Sequence, residues 1–170
     1  MGRSESALYK CCCCFFWWPS SSFYQEHWRH STNRHRQLTS KCANAFGIKK
    51  LAPYFYPHQL GVGTAGGCEA AVHSARRYIE AVPRDHVLVK LDFTNAFNGV
   101  YVDGMLHSVY NRIPELYAFC KSAYGQSSVL HLETYASLSE EGTRQGDPRG
   151  PLLFCNTIHP TLSSLQAQLN

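Results

Sequence analysis

Two stretches of this sequence hold side chains whose types and order could do chemistry. In the first, Lys90-Leu-Asp-Phe-Thr-Asn-Ala-Phe-Asn98, Asp92 stands near the end of an apolar, β-branched run. A carboxylate at a strand terminus beside free backbone carbonyls offers the hard oxygen ligands that Mg²⁺ takes. An aspartate there also caps the turn after a strand, and the segment alone does not choose between the two roles. The second stretch is Glu141-Gly-Thr-Arg-Gln-Gly-Asp-Pro-Arg-Gly-Pro-Leu-Leu-Phe154. Its glycines and prolines stiffen a loop that presents Arg144 and Gln145 just before a helix, whose N-terminus favours anions. That composition suits a cradle for a phosphorylated ligand. The plainer reading is a loop in which Asp147 caps the final helix.

The surrounding elements must position these groups. Pro53 and Pro57 frame an aromatic turn, followed by a glycine loop from Gly61 to Gly67. Cys68, Val72, Ala75, Ile79 and Val82 recur at helical spacing and predict a helix with one apolar stripe, stopped by Pro83. Val87 to Phe93 is a strand pattern that delivers Asp92 to a sheet edge. Asp103 is the expected N-cap of a helix carrying Met105, Leu106, Val109 and Tyr110. Pro114 ends it and opens another that runs through Tyr124 to Gly125. Val129 to Tyr135 alternates as a strand, and a last helix from Leu152 to Leu169 is expected to bend at Pro160.

The 170 residues fit one domain, and 44% apolar against 16% charged residues excludes a disordered polyelectrolyte. The net charge of +4 is unevenly spread. Residues 1–50 hold eight basic and two acidic side chains (+6), and residues 51–170 hold eight and ten (−2). Four of the eight cysteines form the run Cys11 to Cys14 and the others lie far apart, which points to reduced thiols rather than a disulfide framework. The apolar stretch Cys11 to Trp18 is too short to span a bilayer and has no signal-peptide flanks, so neither export nor a membrane anchor is expected. Residues 1–40 form a compositionally biased tract with no sustained period, and residues 41–170 are expected to form the folded domain.

In order along the chain, three segments resemble the fingers and palm of a reverse transcriptase of the non-LTR retrotransposon type. Leu-Asp-Phe-Thr-Asn-Ala-Phe-Asn (91–98) is similar to that family's first palm motif, and residues 142–154 are similar to its nucleotide-binding motif. His58-Gln-Leu-Gly-Val-Gly-Thr-Ala-Gly-Gly-Cys-Glu-Ala-Ala-Val-His73 is similar to the segment that precedes the palm. The resemblance implies an α+β fold, an incomplete right-hand polymerase palm with part of the fingers. It implies that Asp92 and the Phe93 carbonyl bind a catalytic Mg²⁺ pair, that Phe97 excludes a ribose 2′-hydroxyl, and that Gln145 and Gly146 touch the incoming nucleotide. The implied partners are an RNA template, a DNA primer and dNTP.

Two departures from the family pattern stand out. Arg149 occupies a position more often apolar, which is expected to alter loop packing without removing a chemical group. The family's Asp-Asp metal motif has no counterpart, since Asp85, Asp92, Asp103 and Asp147 include no adjacent pair. A two-metal site with one of its aspartate motifs lacks the charge to hold both ions, so a truncated fragment, inactive alone and poorly soluble, is expected.

The rival class is a zinc- or nucleic-acid-binding module. Cys11, Cys14, His30 and His35 loosely satisfy a Cys₂His₂ spacing near Arg29, Arg34 and Arg36, but Phe-Phe-Trp-Trp-Pro does not resemble a finger. Weak, salt-sensitive nucleic-acid binding through the basic N-terminal half is a third reading. Glu140 and Glu141 point to opposite sides of an extended segment and cannot share a substrate. Tyr54, Phe55 and Tyr56 could stack bases or pack beneath the glycine loop.

Overall fold

Five helices and one hairpin account for the regular structure in a computed structural model of the chain, which describes residues 34–169 apart from 84, 85, 87, 89, 91, 127, 133, 134, 140 and 145. In chain order these are α1 (Arg34–Phe55), α2 (Gly67–Ala81), α3 (Val102–Arg112), α4 (Pro114–Tyr124), β1 (Ser128–Leu132), β2 (Tyr135–Ser139) and α5 (Gly150–Leu169). Of the unassigned tract 1–40, only residues 34–40 are described. There α1 is already helical, seven residues before the start read from the sequence at residue 41.

The core forms where α5 packs on α1 and α3, and α3 on α4. Leu152, Leu153, Phe154 and Cys155 of α5 are buried against Met105 and Val109 of α3, Cys120 of α4 and Phe55 of α1. Gly47 lets α1 pack tightly on α5: a Cβ there would lie 2.4 Å from Leu152 Cδ2. Burying such side chains is worth about 1.5–3 kcal/mol each, the main term favouring this arrangement.

Prolines behave differently by context. Pro114 opens α4 at its first turn, where the missing N–H has no intrahelical acceptor anyway, and Gly125 closes it through a bond from its N–H to the Lys121 carbonyl (2.7 Å). Pro53 does not frame a turn. It lies inside α1, which continues to fully buried Phe55, and its missing N–H takes the intrahelical donor from the carbonyl of Lys49, an exposed residue. Pro160 lies inside α5 and frees the Asn156 carbonyl in the core, which accepts instead from Arg112 Nη1 (3.3 Å). Asp103 is not the cap of α3. Tyr101 takes that place, and Asp103 sits in the first turn, where the helix dipole favours a carboxylate.

Three expectations about packing and strands are corrected. The α2 stripe does not enter the core: Gly67 and Ala71 are the buried residues, while Ile79 is 55% exposed. The described residues of 87–93, namely Leu88, Lys90, Asp92 and Phe93, are exposed and form no strand. The segment 129–135 is not one strand but the first half of an antiparallel hairpin, with Ser128 opposite Ser139 and Leu132 opposite Tyr135. That pair is the whole sheet among the described residues, so the expected palm sheet does not appear there. Within the hairpin β1 and β2 satisfy each other's backbone groups, which a lone strand would leave unpaired.

Candidate functional site

The two chemistry-bearing segments meet through their backbones. After Phe93 the chain turns at Asn95, whose φ of 52° is left-handed and tolerated by asparagine. Its carbonyl accepts from both Asn98 and Gly99 N–H (2.8 Å each), which aims residues 97–101 along the loop at 141–143. Thr143 N–H donates to the Phe97 carbonyl (2.7 Å) and Gly142 N–H to the Val100 carbonyl (2.8 Å), while Tyr101 and Glu141 form an antiparallel bridge. Gly142 makes this possible. Its φ is +83°, and an added Cβ would stand 2.7 Å from Asn98 Cα, so the strands of backbone touch with no side chain between them.

Aromatic rings form the floor. Phe97 is half-buried, with its ring 5.0 Å from that of Phe154 in α5, and Phe93 meets Phe154 edge-on at 6.2 Å while remaining 48% exposed. A ring held against a core phenylalanine is a rigid wall. Asp92 lies at the exposed edge of this turn, and Gly146 is exposed with a φ of +82° and open space where a Cβ would be. Gln145 lies outside the described residues. The site therefore brings Asp92, Phe93, Phe97 and the Gly142–Thr143 backbone onto one linked unit.

Beneath the loop is a buried cluster that reading the sequence missed. Asp147 is a cap in part, since its Oδ1 accepts from Arg149 N–H (3.0 Å) just before α5. It is also held by Arg149 Nε (3.0 Å) and Nη2 (2.7 Å) and by the Tyr124 hydroxyl (2.6 Å). Arg149 does more than fill an apolar position: its side chain is 4% exposed, with the guanidinium 4.3 Å from the centre of the Phe119 ring. Burial by itself would raise the Asp147 carboxyl, but the Arg149 guanidinium and Tyr124 hydroxyl outweigh it and hold it below the usual carboxylate range. Burial, reinforced by the Asp147 charge, pushes the Tyr124 hydroxyl up, so it stays a donor. Asp147 and Arg149 are two residues apart, a spacing common in exposed loops. Only the fold reveals that both are buried.

A second polar group locks the middle of α5. Gln59 Nε2 donates to the Cys155 carbonyl (2.9 Å) and to His159 Nδ1 (2.8 Å), using both of its hydrogens. Burial, then the neighbouring His58 and Arg112, push His159 down to about 4, so the ring is a neutral acceptor. The Tyr54 ring packs tilted against His159 at 4.1 Å and Phe55 is core, while Tyr56 is exposed.

These residues fit a metal only in part. Among the described residues no three His, Cys, Asp or Glu side chains stand close enough to hold an ion. Asp92 with adjacent carbonyls suits one Mg²⁺ that keeps most of its water and shares a substrate phosphate, and does not suit a metal pair. Of the loosely zinc-like set, His35 is exposed in α1, and Cys11, Cys14 and His30 lie outside the described residues.

Residues 25–170 match the family model described as reverse transcriptase (RNA-dependent DNA polymerase). The chain belongs to the reverse transcriptase family. Comparisons with curated proteins and with solved structures gave no match. Reverse transcriptases take RNA templates and nucleotide substrates and use divalent metal ions. The match takes in both linked motifs and every helix described above. No helix among the described residues is long and apolar enough to cross a membrane.

Proposed function

We propose that this chain is the part of a reverse transcriptase that joins the first aspartate motif to the nucleotide loop, in an enzyme of the non-LTR retrotransposon type. The observation that carries the reading is the pair of backbone bonds from Thr143 and Gly142 to Phe97 and Val100, which couples residues 46 and 42 apart in sequence. In this reading Asp92 and the Phe93 carbonyl are oxygen ligands for Mg²⁺, Phe97 bars a ribose 2′-hydroxyl, and Gln145 and Gly146 touch the incoming dNTP. The RNA template and DNA primer lie alongside. Bound Mg²⁺ would supply charge neutralisation of the nucleotide phosphates. The chain's own contribution is placement: Asn95 aims the Asp92 turn, Phe154 stiffens the Phe97 wall, and the Asp147–Arg149 pair fixes the loop from below.

The chain from α1 onward acts in this reading as the fingers and palm unit, since α1 runs unbroken across the boundary expected at residue 41. By itself this 170-residue polypeptide does not polymerise, because one exposed carboxylate cannot hold two divalent ions. The test is an amide NMR titration with dNTP and Mg²⁺ on the wild-type chain and on Asp92→Asn. Resonances of 92–99 and 142–147 should shift together, and the Mg²⁺-dependent part should vanish in the variant. Shifts confined to one segment, or unchanged by Asp92→Asn, would overturn the assignment. Metal-dependent primer extension by the isolated chain would overturn its predicted inactivity.

A further inference from the structure

The turn after Asp92 contains the only Asn-Gly pair in the sequence, Asn98-Gly99. Both residues are exposed, and the Asn98 carboxamide has no hydrogen-bond partner among the described residues. Asparagine is a chemically labile side chain, and a following glycine obstructs attack on it least, because it has no Cβ and turns freely. The nucleophile in that attack is the Gly99 backbone nitrogen. In the folded chain its N–H is engaged with the Asn95 carbonyl at 2.8 Å. That bond closes an exposed turn, of the kind that opens locally more often than the core does.

The loop opposite decides what such a conversion does. Gly142 lies so close to residue 98 that an added Cβ would stand 2.7 Å from Asn98 Cα, 2.8 Å from its carbonyl oxygen and 3.0 Å from its carbonyl carbon. There is no room for a further backbone atom. An isoaspartate supplies one, since the chain then runs through the Cβ and Cγ of residue 98. The extra carbon falls between Phe97 and Val100, whose carbonyls accept from Thr143 and Gly142. Lengthening this stretch puts the two acceptors out of register with the two donors.

We propose that Asn98-Gly99 is a deamidation site, gated by the Asn95 turn, whose isoaspartyl product uncouples residues 97–101 from the loop at 141–143. Base in solution takes the Gly99 amide proton, and the nitrogen forms a bond to Asn98 Cγ. The Cγ–Nδ2 bond breaks and releases ammonia, which takes its third hydrogen from water. Water then opens the cyclic imide at one carbonyl or the other, leaving aspartate or isoaspartate. Nothing is oxidised or reduced, and no step depends on what the site binds.

The test is incubation of the full chain in mildly alkaline buffer, followed by tryptic mass spectrometry and amide hydrogen exchange. The peptide from Leu91 to Arg112 carries Asn95, Asn98 and Asn111 together, so the last two serve as its own comparison with Asn95. It should gain the mass of one amide-to-acid exchange, localised by fragmentation to residue 98 and formed faster in unfolding urea. Gly142 and Thr143 should lose exchange protection in proportion to the isoaspartate formed. Gly99→Ala should remove most of both changes. Its φ is not left-handed and its Cβ would meet only the Asn95 carbonyl oxygen at 3.4 Å, an ordinary contact, so circular dichroism should show native helicity. Asn98→Asp carries the new charge without the longer backbone and should keep the protection. Conversion at Asn95 or Asn111 ahead of Asn98, conversion undiminished by Gly99→Ala, or conversion no faster in urea overturns the proposal. So does isoaspartate with Gly142 and Thr143 still protected, or protection already lost in Asn98→Asp.

Discussion

Replacing Asp147 by asparagine keeps the shape of the side chain and removes the charge that neutralises Arg149. Arg149 would then be a guanidinium 4% exposed, lying between the Phe119 and Tyr124 rings with no anion beside it. Removing one partner of a buried pair costs about 3–5 kcal/mol. Against a total stability of about 5–15 kcal/mol for a domain, that is a large fraction. Urea unfolding followed by circular dichroism, with linear extrapolation, measures it. Adding Arg149→Met to Asp147→Asn should recover part of the loss, because the stranded charge is gone and a side chain of similar length fills its place. An Asp147→Asn variant within about 1 kcal/mol of wild type, or a double variant less stable than the single, would refute the reasoning. The pH dependence carries the same sign. The folded carboxyl lies below its unfolded value of 3.8, so its contribution is complete above that pH and is lost as pH falls through the folded value.

Two further outcomes follow from the geometry. His159 has a folded value of about 4 against 6.5 unfolded, so its contribution is complete above pH 6.5 and is lost toward pH 4. The wild type should lose about 2 kcal/mol between pH 7.5 and 5, and His159→Gln should flatten that slope; a slope that survives the substitution would show that other groups cause it. Gly142→Ala should destabilise by about 1–3 kcal/mol, since it places a Cβ against the Asn98 backbone at a positive φ. Gly146→Ala, with equal φ but open space, should cost less, and equal melting temperatures for the two would contradict the close approach described at Gly142.

Apolar periodicity and the proline and glycine punctuation marked α3, α4 and α5 in the sequence to within a few residues, because those helices carry their own start and stop chemistry and their buried stripes match their period. The sequence also named the two motifs, since Asp92 and the loop around Gln145 depend on residue type and order. Strand patterns were less informative. The run at 87–93 is apolar and β-branched, yet its described residues form no strand, and pairing partners are a property of the fold. Tertiary structure alone decided three things: that the α2 stripe stays out of the core, that Gly142 and Thr143 bind the turn after Asp92, and that Asp147 and Arg149 are buried together. Each depends on which surfaces meet, and the energy of a charge or a methyl group is set by what surrounds it rather than by its neighbours along the chain.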